Sequence, residues 1–296
     1  MAVQSHFFGV GSLVSWAEAG VGAVATQSII EPAYGPRGLE LMRDGLSAPA
    51  ALDRLLADDR EEAVRQVAMV DRAGRVAVHT GSRCIAEAGH RVGEQVSAQA
   101  NIMARPTVWD AMVDAFRGAT GDLGDRFLAA LDAAEAEGGD LRGRQSAALL
   151  VVAPRASGRP SEDRLLNLRV DDHPEPVREL RRLLELRRAY ARVDTGDELA
   201  ARGDNEAALA EYTAAHREQP DSIELAFWHG AYLAVVGRED EARSILRGVF
   251  DGHTGWAELL RRLPAAGLFP DDRKLIARLT RSGRMDVGPE PAASPE

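Results

Sequence analysis

Ala2-Val3-Gln4-Ser5-His6-Phe7-Phe8, followed by Gly20-Val21-Gly22-Ala23-Val24-Ala25-Thr26-Gln27-Ser28, decides how this chain is read. Both stretches are rich in β-branched and small residues, and neither repeats with a helical period. Strands are therefore predicted over residues 3–8 and 21–27. Successive side chains of a strand point to opposite faces. Ser5 thus shares a face with Val3 and Phe7, and His6 with Gln4 and Phe8. Adjacent Ser5 and His6 cannot form a dyad with each other. Thr26 and Gln27 end the second strand, where polar side chains border clefts.

Outward from these strands, the pattern stays mixed as far as residue 172. Ser47 is placed to cap a helix through Ala50, Leu52, Leu55 and Leu56. The runs 65–70 and 75–79 flank Asp71-Arg72-Ala73-Gly74, the mark of a hairpin. A further strand is predicted over 94–99, and helices over about 106–117 and 123–137. Ser146-Ala147-Ala148-Leu149-Leu150-Val151-Val152 reads as a buried strand, with a last strand over 165–170.

Beyond His173-Pro174-Glu175-Pro176 the pattern becomes helical, with a linker expected at 173–178. Gly196 and Gly230 stand 34 residues apart, as do Gly203 and Gly237, Ala208 and Ala242, and Tyr212 and Leu246. Two repeats of this period resemble the tetratricopeptide pattern, in which small residues let two helices cross closely. An all-α module is expected over 179–285, followed by a disordered tail over 286–296 rich in Pro, Ala, Ser and Glu.

The chain has 296 residues, a net charge of −10, one cysteine (Cys84) and one lysine (Lys274). The acidic balance argues against a nucleic-acid partner. No run approaches the ~18 apolar residues of a membrane span. A single cysteine excludes an internal disulfide and fits a reducing compartment, so a cytoplasmic protein is expected. His79, Cys84 and His90 match no standard zinc spacing, so no metal is assigned; no cofactor is implied either.

Six motifs come in a family order. They are Ala2-Val3-Gln4-Ser5-x-Phe7-Phe8, Ala19-Gly20-Val21-Gly22-Ala23-Val24-Ala25-Thr26-Gln27, Tyr34-Gly35-Pro36-Arg37-Gly38, His79-Thr80-Gly81, Gly139-Asp140-x-Arg142-Gly143-Arg144-Gln145-Ser146-Ala147-Ala148 and Asp172-His173-Pro174. Over roughly 2–177 the chain resembles the domain of unknown function 1028 family, which is similar to N-terminal-nucleophile (Ntn) hydrolases. The resemblance implies an α+β fold, a four-layer αββα sandwich, here over residues 1–172. It implies hydrolysis of an amide bond in a small molecule or peptide.

Family members begin with a further strand opening near Thr or Ser, and this sequence begins after it. Ntn catalysis uses the α-amino group of the nucleophilic residue as its base, and Ala2 has no nucleophilic side chain. The catalytic residue therefore stays unassigned. A second departure is Ala100 in Gln99-Ala100-Asn101, where the family has Gly.

Pocket candidates are Ser5, Thr26, Gln27, Arg37, His79, Asn101, Asp140 and Arg144. Arg37 follows Gly35-Pro36 and could clamp a carboxylate. The Asp140, Arg142 and Arg144 cluster precedes the buried strand, gathering charge at one strand end. The rival expectation is a non-catalytic scaffold, binding a protein or peptide through 179–285. A sheet edge left unpaired would also permit a homodimer.

Overall fold

A computed structural model describes residues 1–281 and has an α+β fold. The expected tail lies outside the described residues. The chain divides into two units, residues 1–184 and 185–296. The division falls inside one continuous helix, α5 (Pro176–Ala201), so the predicted linker includes that helix's first residues. Pro176 is tolerated there because the first helical N–H needs no intrahelical partner.

The first unit opens with β1 (Ala2–Ser5), β2 (Ser15–Glu18) and β3 (Gly22–Ser28). β1 is shorter than predicted. The chain turns at Gly9, whose φ of 61° favours glycine, and Phe7 and Phe8 are exposed. Helices α1 (Tyr34–Arg43) and α2 (Ala48–Asp58) follow. Ser47 caps α2 as predicted, its Oγ accepting from Ala50 N–H at 3.3 Å. The predicted hairpin is β4 (Arg65–Asp71) with β5 (Val76–Thr80), and a second is β6 (Gly89–Gly93) with β7 (Val96–Ala100). Then come α3 (Val108–Gly118), α4 (Leu123–Ala136), β8 (Ser146–Val152) and β9 (Arg164–Val170). α3 starts after Pro106 rather than at it.

The strands form sheets of order β1-β8-β9, β2-β3-β4-β5 and β6-β7, every pairing antiparallel. Val24, Val67 and Met69 pack the second sheet against Leu39, Met42, Leu52 and Leu55 of α1 and α2. Ala147, Leu149 and Val151 pack the first sheet against Leu128 and Leu131 of α4 and Val177, Leu180 and Leu184 of α5. Each large side chain buried in this way contributes roughly 1.5–3 kcal/mol. The opposite faces of the two sheets turn inward, giving the layers helix, sheet, sheet, helix.

In the second unit, α6 (Asn205–Glu218), α7 (Ile223–Val235), α8 (Glu239–Gly252), α9 (Gly255–Arg262) and α10 (Arg273–Leu279) continue from α5. The 34-residue offset has a direct packing correlate. A side chain added at Gly196 would sit 3.2 Å from the Tyr212 ring, and one at Gly230 would sit 2.8 Å from Leu246. Gly203 and Gly237 lie just past α5 and α7 at φ of +83° and +84°, the left-handed turn that ends a helix. Phe227, Leu233, Leu246 and Leu260 are buried at the centre of this unit. Among the described residues no helix is long and apolar enough to cross a membrane.

Candidate functional site

Gln66 organises the polar interior of the first unit. It stands alone among Val67, Ala68, Met69 and Val70, is fully buried and uses both ends of its side chain. Its Oε1 accepts from Gln27 Nε2 at 2.7 Å and from Asn101 Nδ2 at 3.0 Å. Its Nε2 donates to Thr80 Oγ1 at 3.0 Å, Gly89 O at 3.1 Å and Ala100 O at 2.9 Å. One amide thereby ties β3, β5, β6 and β7 together and fixes how Gln27 and Asn101 point. Burying an amide without such partners costs about 1–3 kcal/mol.

Gln27 and Asn101 border a cavity of about 450 Å³ between the sheets, together with Gln4, Ser5, Gln99, Asp140 and Arg142. Gln4 Nε2 is buried and has no hydrogen-bond partner among the described residues. Gln27 Nε2 also donates to Gln99 O at 3.3 Å. With their amide nitrogens so occupied, Gln27 and Asn101 retain carbonyl oxygens as acceptors.

At one end of the cavity, Arg142 grips Asp140 in a fork, with Nε to Oδ1 at 3.0 Å and Nη2 to Oδ2 at 2.7 Å. The main-chain N–H groups of Arg142 and His6 also donate to Asp140, at 2.9 and 3.3 Å. Burial by itself would raise the Asp140 pKa. The Arg142 guanidinium and the two N–H donors outweigh it, holding the carboxyl below its ordinary value. The remaining reach of Arg142 is toward Ser5 Oγ at 3.4 Å.

The family comparison decides what this architecture belongs to. Residues 1–180 match a family of unknown function, DUF1028. The chain belongs to the DUF1028 family. The chain is also similar to the crystal structure of protein SPO2555 from Silicibacter pomeroyi, of the same family, at 31% identity and a TM-score of 0.56, covering 62% of this chain and 80% of that one. None of the curated proteins compared matches the chain.

Within the DUF1028 region, Ser5, Gln27, Asn101 and Asp140 of the sequence candidates border the cavity. Thr26, Arg37, His79 and Arg144 do not. Thr26 lies on the opposite face of β3, fully buried, its Oγ1 donating to Glu31 O at 3.2 Å. Arg37 makes an exposed ion pair with Asp58 at 3.3 Å. His79 Nε2 is 3.0 Å from the Glu62 carboxylate and 2.8 Å from its main-chain oxygen. Arg144 is bound by Glu135 and by Glu175, the latter at 3.0 Å. Burial raises the Glu135 pKa against the pull of Arg144.

Sequence reasoning left Gln4, Gln66 and Gln99 out of the site and did not choose Arg142 over Arg144. The signal for Gln66 is a carboxamide in an otherwise apolar strand. For Arg142 it is spacing. Two residues past Asp140, a guanidinium closes back onto the carboxylate across a single turn.

Proposed function

We propose that the DUF1028 region takes a small molecule or peptide by an amide group and hydrolyses that amide. One observation carries the reading: the cavity offers both halves of amide recognition. Gln4 Nε2 is a buried donor without a partner, and Arg142 adds a charged one. Gln27 Oε1 and Asn101 Oδ1 are acceptors for an N–H. A ligand amide that pairs with these groups removes the cost of burying them alone. The hydrolytic step, in which water and the amide give an acid and an amine, is supported by the resemblance to Ntn hydrolases. The lone Cys84 agrees with action in the cytoplasm.

The test is incubation of the full chain with a library of N-acyl amino acids and dipeptide amides, followed by mass spectrometry. Matched acid and amine products that disappear in Arg142→Ala and Gln4→Leu are expected. Absence of turnover sinks the hydrolase reading. Absence of both turnover and binding sinks the amide site.

A second reading has its own support in the helical unit. The Gly196–Tyr212 and Gly230–Leu246 approaches at a fixed 34-residue offset favour a tetratricopeptide-like pair. Such pairs bind a protein or peptide. A pull-down with the full chain, compared with a Gly230→Leu variant, tests it; partners retained equally by both would count against it.

A further inference from the structure

Two histidines meet inside the helical unit, and the direction of the hydrogen bond between them is fixed by their neighbours. His216 lies on α6 and His229 on α7, where His229 is buried at 9% exposure. Nδ1 of one stands 3.0 Å from Nδ1 of the other, and the rings meet edge to face with centroids 5.3 Å apart. On its far side, His229 Nε2 is 3.0 Å from Thr213 Oγ1. Thr213 Oγ1 donates its only proton to Leu209 O, at 2.7 Å, one helical turn back. It therefore accepts from His229 Nε2–H. A neutral imidazole carries one proton, so His229 Nδ1 is bare and accepts from His216 Nδ1–H. The bonds run in one direction, from His216 through His229 and Thr213 to Leu209 O. His216 Nε2 is the one ring nitrogen outside this chain.

That order decides where added protons go. A first proton goes to His216 Nε2 and leaves the chain of bonds intact. A second has to go to His229 Nδ1, the acceptor from His216. Two N–H groups on two like charges would then face each other at 3.0 Å. The charged groups acting on His229 are His216 from α6 and Arg238 and Glu241 from the start of α8. Glu241 is already engaged by Arg238, at 2.6 Å. From α5, Arg192 is held by Glu211 and Glu218 of α6. Burial, with His216 and Arg238 adding to it, lowers the His229 pKa to about 4, and burial lowers that of His216. An unfolded chain takes up both protons near pH 6.5. A base depressed in the folded state contributes stability that is fully present above its unfolded pKa. That stability is lost as pH falls from about 6.5 toward 4.

We propose that the His216–His229 pair is a pH switch built into the helical unit: sharing one proton it joins α6 to α7, and taking up a second it parts them. The switch rests on this packing and is independent of the cavity and of hydrolysis. The same two helices meet at Tyr212 and Tyr232, whose ring centroids are 4.7 Å apart, and at Ala215 and Leu225. Mild acid therefore opens the repeat pair itself.

The experiment uses the full ¹⁵N-labelled chain and NMR. At pH 7.5, imidazole nitrogen shifts are expected to show His216 protonated at Nδ1 and His229 at Nε2. Protection factors at the Ala215, Phe227 and Ala231 amides are expected to fall by about tenfold or more between pH 7 and pH 5. Val67 and Met69 in the first unit serve as the reference and are expected to fall less. His229→Gln keeps a donor and an acceptor but does not titrate, and is expected to abolish the fall. His216→Gln, whose amide can turn either its N–H or its oxygen to His229, is the second variant and is expected to reduce it. Nε2–H tautomers at both histidines overturn the proposal. So does the absence of a fall, an equal fall in the two units, or a fall that survives in both variants.

Discussion

On one face of β3, Val24 packs against α1 and α2 and Thr26 is fully buried beside it. On the other, Ala23, Ala25 and Gln27 border the inter-sheet cavities. The same strand thus builds a closed wall and an open one. On the helix side, large residues interlock with Leu39, Met42 and Leu55, and the one polar group there, Thr26, is satisfied by Glu31 O. On the cavity side, alanines leave room, and carboxamides keep part of their hydrogen-bonding capacity for something else. Stability is concentrated on the first face and recognition on the second. Alternation of small and large residues along one strand is enough to separate them.

Truncation on the closed face should cost the most. Met69 is 2% exposed, and Met69→Ala is expected to destabilise the fold by about 2–5 kcal/mol, since its neighbours cannot collapse into the space. Urea denaturation followed by circular dichroism checks this. Ala25→Val, on the open face, is expected to change the midpoint little while weakening ligand binding. Equal losses from both substitutions would dissolve the distinction between the walls.

Gln66 belongs to neither wall alone, and its loss should come next. Gln66→Leu keeps the volume but removes the shared acceptor of Gln27 and Asn101 and the Nε2 donor to Thr80, Gly89 and Ala100. A loss of about 1–3 kcal/mol is expected, measured as a lower denaturation midpoint, together with weakened ligand binding. A variant that keeps full binding would show that the network supports the fold only.

The sheet architecture was legible because it rests on short-range pattern. Ser47, the Asp71–Gly74 turn and the apolar run of β8 each specify an element locally. The site was legible only in part. Motif membership brought in Thr26 with Gln27, yet one residue of offset sends their side chains to opposite layers. β2 and β6 were missed because Ser15-Trp16-Ala17-Glu18 and Gly89-His90-Arg91-Val92-Gly93 are too short and polar to stand out. Gln4 and Gln99 were missed because their roles depend on which strand edge meets a cavity, and that is set by sheet order, not by local sequence.

Asp140 sharpens the comparison through pH. Its folded pKa lies below the ordinary carboxylate value, about 3.9, so the ionised form is favoured in the folded state. The stability this contributes is present above the unfolded pKa and is lost as pH falls through the folded one. Asp140→Asn is therefore expected to lower stability near neutral pH and to flatten the decline below about pH 4. Stability measured from pH 7 down to pH 2 checks this. Wild type and variant declining in parallel would mean that the Arg142 fork contributes nothing to acid sensitivity.

The smallest effect is expected where the sequence pointed to a clamp and the side chain instead lies on the surface. Arg37 and Asp58 are both more than half exposed, with side-chain exposures of 53% and 61%. Water screens such a pair, and ordering two flexible side chains offsets most of the attraction, leaving about 0–1 kcal/mol. Arg37→Ala should therefore shift the denaturation midpoint by little and leave ligand affinity unchanged, whereas Arg142→Ala should weaken binding. The two arginines carry the same charge and differ in where they sit. If Arg37→Ala impairs binding as much as Arg142→Ala, the cavity is not what selects the ligand, and the contrast between the two faces of the second sheet loses its functional meaning.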